Sequence, residues 1–216
     1  MIVDDQALIR SGLKTILDSW DDITVVCSAS DGAEAVSAAR EHRPDVVIMD
    51  LHMPRIGGLE ATIQLMRLND PPRILVLTTF DADDTIIDAL EAGASGFLLK
   101  DVGTAELLAS VRGVAAGGTA MSREIKDRLV RRASRRLPTG HTGLQGKIQS
   151  MTESERDVLA LIGSGLTNQQ ISEQLHLSLA SVKTYVSRML ARLQLENRTQ
   201  AAILAYESGM VQDAPR

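Results

Sequence analysis

Five short runs of apolar, β-favouring residues recur through the first half of the chain: MIV (1–3), ITVVC (23–27), VVIM (46–49), ILVLTT (74–79) and GFLL (96–99). Between them lie helix-length stretches with apolar residues at 3.6-residue spacing. Ala7, Leu8, Leu13, Ile16 and Leu17 form one such stripe, and Ala33, Val36 and Ala39 another. Continuous apolar runs describe strands buried on both faces, and their alternation with helices describes right-handed βαβ units. Residues 1–118 are therefore expected to be α/β, a doubly wound (βα)5 domain whose five-stranded parallel sheet has the order 2-1-3-4-5.

The pattern changes after that point. Residues 119–150 are expected to be a helical extension and a basic flexible linker, because RRASRRLPTGHTGLQGKIQS (131–150) loses periodicity and gathers Gly, Pro, Ser, Thr and Arg. Residues 151–216 read as all-α. Thr152-x-x-Glu155 and Thr167-x-x-Gln170 have the capping-box pattern, Ser178 can cap a third helix and Asn197 a fourth. Charge divides along the same line. Residues 1–120 carry 9 Lys/Arg against 19 Asp/Glu, and residues 121–216 carry 14 against 9. An acidic half suited to cations is joined to a half with a different partner. No run approaches the roughly 18 apolar residues of a membrane span, and a cytoplasmic protein is expected. The lone Cys27 reads as a small core residue.

In a doubly wound sheet, ligands bind at the carboxyl ends of the strands, where the strand order reverses. Asp4 and Asp5 follow the first strand, and Asp50 follows the third. Thr78 and Lys100 end the fourth and fifth. Each alone is ordinary: a helix cap, a turn former, a solvated strand end. Together they place three carboxylates, a hydroxyl and an ammonium on one rim. Hard oxygen ligands at an open site suit Mg²⁺, and the hydroxyl and ammonium suit a transferred phosphoryl group.

The segment ASVKTYVSRMLARL (180–193) constrains the second half. Val182, Val186, Met189, Leu190 and Leu193 make one core stripe, opposite a small, polar and basic face. His176-Leu177-Ser178 is a three-residue turn of the length that joins the helices of a helix-turn-helix. Lys183, Thr184 and Ser187 are the candidates for DNA base edges, and Thr167, Ser181, Arg188 and Arg192 for DNA phosphates.

The acid pair at 4–5, the Asp of VVIMD, the first Thr of VLTT and the Lys of GFLLK together resemble the receiver domain of two-component response regulators. The stretches LTNQQI, SVKTYVSR and NRTQA resemble the LuxR-type DNA-binding domain, and the combination resembles the NarL/FixJ class. The resemblance implies that Asp50 is the phosphoacceptor for a sensor histidine kinase. It implies Mg²⁺ (or Mn²⁺) held by Asp5, Asp4, Asp50 and the backbone carbonyl of His52. Thr78 and Lys100 would contact the phosphoryl oxygens, and Phe97 would act with Thr78 as a switch. Promoter DNA, a homodimer on activation (paired through a last helix near 199–208) and RNA polymerase are the implied partners. Members of the family usually carry several more residues before the acid pair, so a short first strand is expected here. Gly57 stands where an acid or amide is common, a change expected at the cap of the third helix. Three other readings compete with this one: an aspartyl-phosphate phosphatase, a phosphate-independent regulator and a ligand-sensing regulator of quorum type. Leu51-His52 supplies no general acid for the first, and two Phe, two Tyr and one Trp supply little for a ligand cage.

Overall fold

The computed structural model describes residues 1–79, 83–121, 125, 148, 151–195 and 197–211. The expected linker and extension therefore lie largely outside the described residues, as does Glu196.

Six parallel strands form one sheet in the order β2-β1-β3-β4-β5-β6. They are β1 (Ile2–Val3), β2 (Ser28–Ala29), β3 (Val46–Met49), β4 (Arg73–Thr78), β5 (Gly96–Leu99) and β6 (Ala120–Met121). Helices α1 (Ala7–Leu17), α2 (Gly32–His42), α3 (Gly58–Leu65), α4 (Asp83–Glu91) and α5 (Thr104–Ala115) are the crossovers. Core residues of α2, α3 and α4 pack with Val47, Met49, Ile74 and Val76 on one sheet face. Leu17 of α1 and Leu107, Leu108, Val111 and Val114 of α5 pack with Ile48, Leu75 and Leu77 on the other. The doubly wound layering follows from strands that are apolar on both sides.

Three details depart from the sequence reading. The sheet has a sixth, edge strand: after α5 the chain returns beside β5, and Ala120 N donates to the Ser95 carbonyl at 3.2 Å. No long apolar run announces a two-residue strand. The ITVVC run is not the second strand. β1 is two residues long and pairs Ser28–Ala29, while Val25 N donates to Asp18 Oδ1 at 2.9 Å instead of a ladder. In α1, Leu17 alone is buried, and Leu8 is 83% exposed. Cys27 is half-buried against the core.

The second half contains α6 (Glu153–Gly163), α7 (Asn168–Leu175), α8 (Leu179–Leu193) and α9 (Arg198–Glu207) around their own apolar cluster. Both capping boxes are present, and Ser178 and Asn197 accept from the amides of Ser181 and Gln200. His176 closes α7 in the left-handed region at φ 53°. Among the described residues no helix is long and apolar enough to cross a membrane. Because Thr152 both accepts from Glu155 N and has its own amide bound by Glu155, Thr152→Ala is expected to cost about 1 kcal/mol. Urea unfolding followed by helical circular dichroism would register the loss.

Candidate functional site

The rim at the carboxyl ends of the strands is built by backbone ladders that continue one residue past the strands. Asp4 N donates to Ala29 O at 3.2 Å, Asp50 N to Val3 O at 2.9 Å, and Lys100 N to Thr78 O at 2.9 Å. These bonds fix Asp4, Asp50 and Lys100 laterally against their neighbours. Asp4 is 1% exposed and Asp50 4%. Two buried carboxylates side by side would repel strongly without a cation. Lys100 provides one, its Nζ 2.6 Å from Asp4 Oδ2 and 2.9 Å from Asp50 Oδ2. Burial pulls the Lys100 pKa down, but the paired carboxylates of Asp4 and Asp50 outweigh it and hold the ammonium above its ordinary value.

Asp5 is exposed, and ligand oxygens of Asp4, Asp5 and Asp50 lie within 4.8 Å of one another. Three hard anionic donors with a single ammonium between two of them fit a divalent cation. Two supports escaped the sequence reading. Arg10 Nη1 donates to the carbonyls of Asp4 and Asp5 at 2.7 and 3.0 Å, holding the acid loop from the first turn of α1. Gly58 lets α3 start against the phosphoacceptor candidate, because a Cβ there would fall 2.0 Å from the Asp50 carbonyl oxygen. A Gly-Gly pair beginning three residues after Pro54 signals a turn but not this contact. The adjacent Gly57 caps α3 without a side-chain bond, as its departure from the acid or amide led us to expect.

Thr78 is buried at the same rim, with its Oγ1 3.4 Å from His52 Nδ1. His52 N donates to Asp50 Oδ1 at 3.3 Å, an Asx-type turn that directs the chain around the carboxylate. Phe97 is 1% exposed and packs inside the α2–α4 face of the core.

On α8, Val182, Val186, Met189 and Leu193 are buried and Lys183, Thr184, Ser187, Arg188 and Arg192 exposed, with Ser181 half-buried. Thr184 Oγ1 donates back to Ala180 O at 2.9 Å. The hydroxyls of Ser178 and Ser181 lie 2.8 Å apart. Arg192 is tied to Glu155, with Nη1 3.1 Å from Oε2. Lys183 and Arg188 make no ion pair among the described residues. Thr167 is 7% exposed, and its hydroxyl accepts from Gln170 N.

An acid-rimmed, doubly wound domain followed by a four-helix unit with a basic helix-turn-helix face defines a class: a domain whose carboxylates could hold a metal ion, joined to a unit of the shape found in DNA-binding proteins. Known proteins agree with that class. The response regulator receiver domain matches residues 1–112, and the domain of bacterial regulatory proteins of the luxR family matches residues 149–205. The transcriptional regulatory protein LiaR of Bacillus subtilis is 36% identical over 98% of both chains. The DNA-binding transcriptional activator DevR/DosR of Mycobacterium tuberculosis is 37% identical over 95% of this chain and 93% of its own. The crystal structure of the response regulator ChrA, from a heme-sensing two-component system, matches over 98% of this chain and 97% of its own, at 34% identity and a TM-score of 0.53. The chain belongs to the response regulators of the NarL/FixJ class, transcription regulators that join a receiver to a LuxR-type DNA-binding domain.

The buried carboxylate pair depends on Lys100, so Lys100→Met is expected to destabilise the metal-free protein by about 3–5 kcal/mol. Millimolar Mg²⁺ should recover part of that loss by binding only the folded state. Urea unfolding with and without Mg²⁺ checks both statements.

Proposed function

We propose that Asp50 accepts a phosphoryl group from the phosphohistidine of a sensor kinase and that this modification controls promoter binding. The observation that carries the reading is the convergence of Asp4, Asp5, Asp50, Thr78 and Lys100 on one rim. An Asp50 carboxylate oxygen attacks phosphorus, the N–P bond breaks, and the imidazole leaves with the electron pair. Lys100, already 2.9 Å from Asp50 Oδ2, neutralises charge on the transferred oxygens. A divalent cation, Mg²⁺ or Mn²⁺, would be held by Asp4, Asp5, Asp50 and the His52 carbonyl and would shield the approach of two anions.

The product carries up to about two added negative charges and three strong acceptors. Thr78, whose neutral hydroxyl is buried at the same rim, turns toward them, away from His52. Phe97, with its ring in the core one strand away, adjusts to the space that Thr78 leaves, and the change spreads to α4, β5 and α5.

The helical half then reads DNA in the major groove through Lys183, Thr184 and Ser187, while Ser181, Arg188, Arg192 and Thr167 contact phosphates. The exposure of this face and, among the described residues, the absence of an acid partner at Lys183 and Arg188 support the assignment. Arg192 is the weakest of the set, since Glu155 competes for it. A homodimer paired through α9 on two half-sites, working in the cytoplasm with RNA polymerase as a further partner, completes the proposal.

Acetyl phosphate with Mg²⁺ should add one phosphoryl group to the wild type and none to Asp50→Asn, read by intact-protein mass spectrometry. Label retained in the mutant contradicts the assignment. In DNA titrations across salt, Arg188→Ala should weaken binding to all sequences and flatten the salt slope by about 1. Lys183→Ala should instead lose about 1–3 kcal/mol of discrimination between the operator and a scrambled duplex.

A further inference from the structure

Helix α8 begins with an apolar side chain that its own domain does not bury. Leu175 ends α7 and Leu177 lies in the turn, and both pack against the apolar cluster of the helical half. Leu179, the first residue of α8, is 38% exposed. Among the described residues of the helical half, no other large apolar side chain is exposed. A single exposed leucine needs no explanation by itself. Its place on the helix supplies one.

Side chains four residues apart line up along one helix face. Leu179, Lys183 and Ser187 therefore form one row, and the last two are residues proposed above to reach base edges. The adjoining row is Ala180, Thr184 and Arg188. All six are exposed, while Val182, Val186 and Met189 are buried on the opposite side. Thr184 Oγ1 donates to Ala180 O at 2.9 Å, so its one hydroxyl hydrogen is spent inside the helix. Toward a ligand, Thr184 offers its methyl and an oxygen lone pair. The leading turn of this face is thus apolar, and the cations Lys183 and Arg188 follow it. No acidic residue stands between Glu173 and Glu196.

A surface of this composition has its complement in the major groove. Among the bases only thymine presents a methyl there, guanine presents the O6 and N7 acceptors that suit a lysine, and phosphates flank both. A protein partner would have to bring acids to both cations as well as an apolar pocket. Residues one turn apart are separated by about 6 Å along the helix axis, and stacked bases by about 3.4 Å along a strand. Contacts from Leu179 and Lys183 therefore fall about one to two base pairs apart.

We propose that Leu179 is a specificity-determining residue, which packs on the C5 methyl of a thymine about one to two base pairs from the base read by Lys183. Cytosine in the same place has no methyl to bury, and a purine sets a polar N7 against an apolar side chain. The inference rests on α8 as the DNA reader.

Selection from random duplexes with the full-length wild type first gives the preferred half-site. Each of its thymines is then replaced singly by deoxyuridine, which lacks the methyl and keeps every hydrogen-bonding group. At one thymine that change should weaken wild-type binding about two- to fivefold, the span of one buried methyl. Leu179→Ala should bind the parent duplex more weakly by a similar factor. It should be indifferent to deoxyuridine at that position and keep the wild-type response at all others. Leu179→Met, which keeps an apolar side chain, should restore the sensitivity. Deoxyuridine penalties that match between wild type and Leu179→Ala at every thymine overturn the proposal. So does a half-site with no thymine within two base pairs of the position where Lys183→Ala loses discrimination. Loss of a second protein copy from the duplex in Leu179→Ala, with the deoxyuridine penalties intact, assigns Leu179 to a contact between copies and overturns it too. A wild type without sequence preference contradicts α8 as the DNA reader, and the thymine contact with it.

Discussion

A single ammonium, Lys100, lies between two carboxylates that are almost wholly withdrawn from water. Asp4 and Asp50 come from β-strands paired side by side, and Lys100 from two strands further along, so the arrangement exists only if the sheet has its doubly wound order. The geometry is also what makes the rim responsive. The triad sets one ammonium against two carboxylates, and that excess of negative charge would be met by a divalent cation and increased by a phosphoryl group. The rest of the receiver holds this small cluster of charge at the edge of an apolar sheet, where a change in charge is felt through packing.

Much of this was legible from sequence because the chemistry sits at strand ends. A buried parallel strand is a continuous apolar run, so the residue that breaks it is easily located: Asp50 after VVIM, Lys100 after GFLL. The helical half was legible for a related reason. Capping boxes are local patterns, and Thr152–Glu155 and Thr167–Gln170 form as their spacing implies.

What escaped the sequence depends on contacts between distant segments. The need for glycine at 58 arises only when α3 starts against the Asp50 carbonyl. The pairing of Ser28–Ala29 in place of ITVVC follows from how few residues β1 offers, not from the composition of the second run. Leu8, counted in an apolar stripe, is exposed because α1 meets the sheet near its end. Arg192 reads as a free basic residue on the recognition helix, yet Glu155, 37 positions earlier, reaches it. Thr199 and Ala94 are 105 residues apart, and nothing in either neighbourhood advertises the bond between them.

Phosphorylation at this rim is proposed to fall on one carboxylate, that of Asp50. Borohydride reduces an acyl phosphate to the alcohol, so an aspartyl phosphate becomes homoserine at the modified position. Tandem mass spectrometry of phosphorylated, borohydride-treated protein should find homoserine at position 50 alone. Homoserine at position 4 or 5, or spread over exposed aspartates with position 50 untouched, would contradict it.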